Sequence, residues 1–82
     1  MQSVNVEGVI ELIEELALDN TVPKNVKNKL NAVLSILKTE EDLKVRVNKV
    51  LNDLDDVVDD PNLQSYTRTQ LWNIVSVLEK VE

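Results

Sequence analysis

Three residue types are missing from this chain: it has no cysteine, no histidine and no phenylalanine. Without cysteine there is no disulfide and no thiolate chemistry. Without histidine the commonest general base and the commonest transition-metal ligand are both gone. Serine–histidine and cysteine–histidine nucleophilic mechanisms are therefore excluded. A single glycine and two prolines leave little material for hairpin turns or for a phosphate-cradling loop. Aromatic residues number only two, Tyr66 and Trp72, which is poor provision for stacking bases of single-stranded nucleic acid. No apolar run approaches the length of a membrane span, so no membrane association is expected. No basic, apolar leader opens the chain, and a cytoplasmic location is the expectation.

What is present is acid and aliphatic side chain. Fifteen acidic and nine basic residues give a net charge of −6, a field that repels phosphate backbones. Eighty-two residues make one small domain, spanning 1–82, with a marginal core. Nine asparagines argue weakly against extreme thermophily.

The aliphatic residues recur with helical spacing in four segments. The first runs from about Val4 to Leu18, with Val6, Val9, Ile10, Ile13, Leu16 and Ala17 on one face. Gly8 lies off that face. The second runs to about Lys38, on a seam of Val26, Leu30, Val33, Leu34 and Leu37. The third runs to about Val58, on Leu43, Val47, Val50, Leu51, Leu54 and Val58. The fourth starts near Leu63 or Gln64 and reaches Val81, with Thr67, Leu71, Ile74, Val75 and Leu78 inward. Leu12, Leu18, Ile36, Val57 and Val77 lie off the seams and are expected to be partly exposed.

The turns carry their own signals. In Asp19-Asn20-Thr21-Val22-Pro23, Thr21 is the expected N-cap and Pro23 falls in the first helical turn, where its missing N–H is not needed. Asp60, Pro61 and Asn62 form the matching turn later in the chain. Thr39-Glu40-Glu41-Asp42 reads as a capping box. Lys24, Lys27 and Lys29 crowd the start of the second helix, where the helix dipole disfavours cations. The glutamates of the first helix are the expected compensation.

A shift of 41 residues, half of the 82, aligns the chain with itself without a gap. Val4 meets Val45, Val9 meets Val50, Asp19 meets Asp60, Leu30 meets Leu71, Ser35 meets Ser76 and Leu37 meets Leu78. The expected fold is all-α: a four-helix domain of two tandem helical hairpins, residues 1–41 and 42–82, as a HEAT-like pseudo-repeat.

Two strings are more specific than helix composition. DNTVPKNVKNK and DDPNLQSYTRTQLWNIVSVLE resemble the archaeal uncharacterised protein family 0147, whose members carry DxTVPRNIR and DPNMPxHTRTxIWxIVSxLE. The resemblance spans nearly the whole chain. Gln64 stands where the family has proline and Tyr66 where it has histidine, so no histidine role carries over. The resemblance implies an all-helical archaeal cytosolic protein that self-associates, and implies no activity.

Three groups of residues are candidates for function. Arg68 and Trp72 share a helix face at i,i+4. As an interface pair with Tyr66 they are a binding edge; as ordinary structure, Trp72 caps the core and Arg68 neutralises Asp59 or Asp60. Asp53, Asp55, Asp56, Asp59 and Asp60 are oxygen ligands for a hard cation, but their spacing is not that of a calcium loop. A solvated acidic helix end is the simpler reading, and no metal or cofactor is expected. Lys24 and Lys27, with Lys44, Arg46 and Lys49, offer phosphate contacts; salt bridges to neighbouring acids are the simpler reading. The expected function is a non-enzymatic protein-interaction module that forms a homo-oligomer or takes another protein partner. The alternative is an RNA- or ribosome-associated protein using Lys24, Lys27, Arg68 and Trp72.

Overall fold

A computed structural model describes residues 6–81. The elements in order are α1 (Val6–Leu18), α2 (Lys24–Leu37), α3 (Leu43–Val58) and α4 (Ser65–Leu78). No strand occurs among the described residues. The protein is all-α, a bundle of four antiparallel helices. Seams run between α1 and α2, α2 and α3, and α3 and α4, whereas α1 and α4 barely meet. The expected start at Val4 lies outside the described residues. The last helix stops at Leu78, short of the expected Val81, and begins at Ser65.

The aliphatic spacing dictates the core. Every residue expected on the seams of α2 and α4 is buried, Thr67 among them. Val57 departs from expectation, being only 2% exposed. Its helix packs against both α2 and α4, so α3 buries a broader face than one seam requires. Leu18, at 81% exposed, and Val77, at 36%, are open as expected, and Leu12 and Ile36 are half-buried. Two buried residues come from the turns: Val22 and Leu63 plug the core where α1 gives way to α2 and α3 to α4.

Those turns close differently from the helix-cap expectation. Thr21 is not an N-cap. The Asp19 carboxylate accepts both the Thr21 backbone N–H, at 2.8 Å, and the Thr21 hydroxyl, at 2.7 Å. Pro23 takes the cap position, and its carbonyl accepts the Lys27 N–H at 2.9 Å. An aspartate bonding the backbone two residues on makes an Asx turn, a local alternative to helix that turns the chain sharply. Thr39 does not open a capping box either. Its hydroxyl donates to the Ile36 carbonyl at 2.9 Å, and Asp42 caps α3 by accepting the Lys44 N–H at 2.9 Å.

The same bonds recur 41 residues on. Asp60 accepts the Asn62 N–H at 2.8 Å, as Asp19 does from Thr21. The Val22 N–H donates to the Asp19 carbonyl at 3.1 Å and the Leu63 N–H to the Asp60 carbonyl at 3.3 Å. At the far end, Lys38 to Leu34 and Glu79 to Val75 correspond in the same way. Leu30 and Leu71, equivalent by this register, are both wholly buried.

Truncating either leucine leaves a cavity. Leu30→Ala and Leu71→Ala are each expected to cost about 2–5 kcal/mol, a large part of a total of about 5–15 kcal/mol. Urea denaturation followed by circular dichroism checks this; a cost under about 1 kcal/mol at either site would contradict the packing described.

Candidate functional site

The helices run antiparallel, so the two Asx turns lie at one end of the bundle, side by side. The Asn25 amide donates to the Asp60 carboxylate at 2.6 Å and ties the start of α2 to the second turn. Lys24, Lys27, Tyr66 and Arg68 all lie within the first two turns of α2 or α4 and so gather at this end. Asp19 and Asp60 both titrate below the usual carboxylate range. For Asp19 the main cause is the Thr21 hydroxyl, then the Thr21 N–H, with Lys27 adding attraction. For Asp60 it is the Asn25 amide, then the Asn62 N–H, with Arg68 nearby.

Arg68 is built into the fold. Its Nε donates to the Val58 carbonyl at 3.0 Å and its Nη2 to the Asp60 carbonyl at 2.8 Å. The Val58 carbonyl ends α3 without an intrahelical partner, the Asp60 carbonyl belongs to the turn and also accepts the Leu63 N–H, and a guanidinium fork reaches both at once. Arg46 does the same for α2, its Nη1 donating to the Leu37 carbonyl at 2.7 Å. Both arginines of the chain thus close the preceding helix from the first turns of the next.

The lysines divide differently from expectation. Lys29 pairs with Asp56 of α3 at 3.4 Å, not with the glutamates of α1. Lys38, at the C-cap of α2, takes Glu14 at 3.3 Å, and Lys49 takes Glu41 at 3.1 Å. All three pairs are solvent-exposed and worth little in stability. Of the aspartate cluster, Asp56 and Asp60 are engaged as described. Among the described residues no three acidic side chains come together in a metal-holding group.

Tyr66 and Trp72 are not brought together. Six residues of helix put them about 120° apart. Trp72 is 49% exposed, too open to cap the core, and follows Arg68 on the flank of α4 that reaches α3. Tyr66, 68% exposed, accepts a hydrogen bond from the Gln70 amide at 2.8 Å on the other flank. That second flank, with Asn73 and Val77, faces α1 across an apolar groove of about 230 Å³, walled on the α1 side by Gly8, Val9 and Leu12. A second groove of about 430 Å³ lies between α1 and α2, beside the exposed Leu18 and the Glu14–Lys38 pair.

The family model of the uncharacterised protein family UPF0147 matches residues 2–81. The chain belongs to this family. The UPF0147 protein MJ1419 of Methanocaldococcus jannaschii is 39% identical over 93% of this chain and 83% of its own length. The UPF0147 protein TV0625 of Thermoplasma volcanium is 43% identical over 87% of this chain and 81% of its own. A crystal structure of the unknown-function protein MMP1188 superimposes with a TM-score of 0.89, at 32% identity, covering 100% of this chain and 99% of that one. UPF0147 is a family without an assigned activity, and its solved relative carries none either.

The UPF0147 fold gives this chain's departures a place. Gln64 is the N-cap residue of α4, as Pro23 is of α2, so one position holds proline in the first half and glutamine in the second. Sequence reasoning does not find the closing role of Arg46, nor the parts of Asn25 and Gln70. The only signals available are the position of Arg46 in the first turn of a helix and the 41-residue register linking Asn25 to Tyr66.

Two outcomes follow from this geometry. Arg68→Ala should lower stability by about 1.5–3 kcal/mol, since a charged donor is lost from two carbonyls. Arg68→Lys should recover only part of this, because an ammonium cannot form the fork. Urea midpoints measure both, and a wild-type midpoint for Arg68→Ala would refute the role. The second outcome concerns pH. A carboxyl held below its ordinary value contributes stability above the unfolded range, about pH 3.9, and loses it as pH falls through the folded value. Stability should therefore fall as pH drops below about 3.9 and on through the lower folded values of the two carboxyls. Asp60→Asn, which keeps an acceptor but does not titrate, should flatten that drop.

Proposed function

We propose that this protein is a non-enzymatic interaction module of two HEAT-like hairpins, working in the cytoplasm and pairing with itself. The observation that carries this reading is the unequal packing of the four helices. Three helix pairs pack along their seams, whereas α1 and α4 barely meet and leave an apolar groove beside the exposed Val77; the groove between α1 and α2 is larger but carries the charged Glu14–Lys38 pair. A domain of this size has little core to spare, and apolar surface beside such a groove marks an association face. The absence of histidine and cysteine supports a role without catalysis. RNA binding has less support: Arg68 commits its Nε and Nη2 to the Val58 and Asp60 carbonyls, and Lys27 stands beside Asp19.

The expected result in sedimentation velocity at roughly 100 μM, where micromolar affinities saturate, is a dimer of the 9.3 kDa chain. A clean monomer at that concentration overturns the reading. Trp72 fluorescence is expected to be unchanged when total RNA is added at low salt; a salt-dependent change would favour nucleic acid instead.

A further inference from the structure

The internal repeat offers a template for covering the open seam. In the 41-residue register, the flank of α2 that meets α3 is equivalent to the flank of α4 that meets α1. Asn25, Lys29, Ala32 and Ile36 correspond to Tyr66, Gln70, Asn73 and Val77. On the opposing helices, Asp56 and Asp60 correspond to Glu15 and Asp19. The first seam is tied by two donor–carboxylate bonds, Asn25 to Asp60 at 2.6 Å and Lys29 to Asp56 at 3.4 Å.

At the second seam the same chemistry is present and unconsummated. Tyr66 and Gln70 are donors on an uncharged flank of α4, and Glu15 on α1 and Asp19 in the turn after it are acceptors. Instead of crossing, Gln70 bonds Tyr66 on its own helix, and Asp19 makes the in-turn bonds to Thr21 without the crossing bond that Asp60 adds to its own from Asn25. Glu15 is exposed. The helices are held apart over the groove that Leu12 and Val77 line.

Resting on the self-association proposed above, we infer that this groove is the dimer interface, and that its occupant is the same groove of a second copy. A two-fold axis along the seam lays each α4 against the partner's α1. The flank that α3 offers α2 within the chain is then offered to α4 by a second molecule. Each interface carries its donor–acceptor set twice, as two-fold symmetry demands. The choice of a second copy follows from complementarity: the helix flank that fits this one is already known from inside the fold, and α1 is the equivalent carrier of it. The pairing brings together two chains of net charge −6, so added salt should strengthen it by screening their repulsion.

The test is sedimentation equilibrium on the full chain, wild type against three variants, each first shown by circular dichroism to keep its helical content and melting curve. Val77→Glu, at the rim of the groove, should weaken dimerisation at least tenfold. Gln70→Lys, which copies Lys29 and faces Glu15, should strengthen it severalfold. Leu18→Glu, at the groove between α1 and α2, should leave it unchanged. As a second readout, the cysteine-free chain permits single cysteines: Leu12→Cys mixed with Val77→Cys should form a disulfide heterodimer faster than Leu18→Cys forms its homodimer. A wild-type dimer that resists Val77→Glu but is broken by Leu18→Glu overturns the interface while leaving self-association standing. A wild type that is monomeric throughout overturns both.

Discussion

The structure depends on an aspartate that captures the backbone two residues ahead of it. Asp19 does so at the α1–α2 corner and Asp60 at the α3–α4 corner, each at 2.8 Å, and Asp42 makes the same bond between α2 and α3 at 2.9 Å. The bond fixes the angle at which the chain leaves one helix and starts the next. It also sends the following aliphatic residue, Val22 or Leu63, into the core. A helix pair closed by glycine would reach the same topology through a left-handed residue. This chain has one glycine and no residue of positive φ among those described. The turning is done by carboxylate chemistry, with proline or glutamine setting the start of the next helix.

A second constraint answers the first. An acidic chain places aspartates at the end of α3, where the helix dipole disfavours them. The two arginines offset this by delivering their guanidinium groups to the carbonyls at the ends of α2 and α3. Lysines elsewhere hold exposed carboxylates across the helix seams. Cations are few, and both arginines are used internally.

Much of the fold is legible in the sequence. Apolar spacing locates all four helices, and the buried set of α4 can be read residue by residue, because 3.6-residue periodicity leaves few alternatives. The cap assignments are less legible. Thr21 and Thr39 have the chemistry of caps, but the competing side-chain bonds that Asp19 and the Ile36 carbonyl offer depend on the path of the backbone. Val57 escapes the pattern because its burial depends on a third helix that periodicity within α3 does not see. The candidate patch is legible only as a collection of residue types. Tyr66 and Trp72 fall on different flanks of α4, and Arg68 faces inward to α3, which requires knowing which helices are neighbours. The UPF0147 resemblance identifies the family from the two turn strings, the parts of the sequence least determined by helix formation.

The unequal seams grade the molecule's internal mobility. α2 is gripped by a neighbour on each side, whereas α4 leans chiefly on α3 and touches α1 lightly. Amide protons of α2 are thus expected to be the slowest to exchange with solvent, and those of α4 the first to go in a partial opening. The lone indole sits on that helix. Its emission is a gauge of α4 lifting away, an event distinct from loss of the other three helices, and fluorescence and helicity need not melt together in this protein.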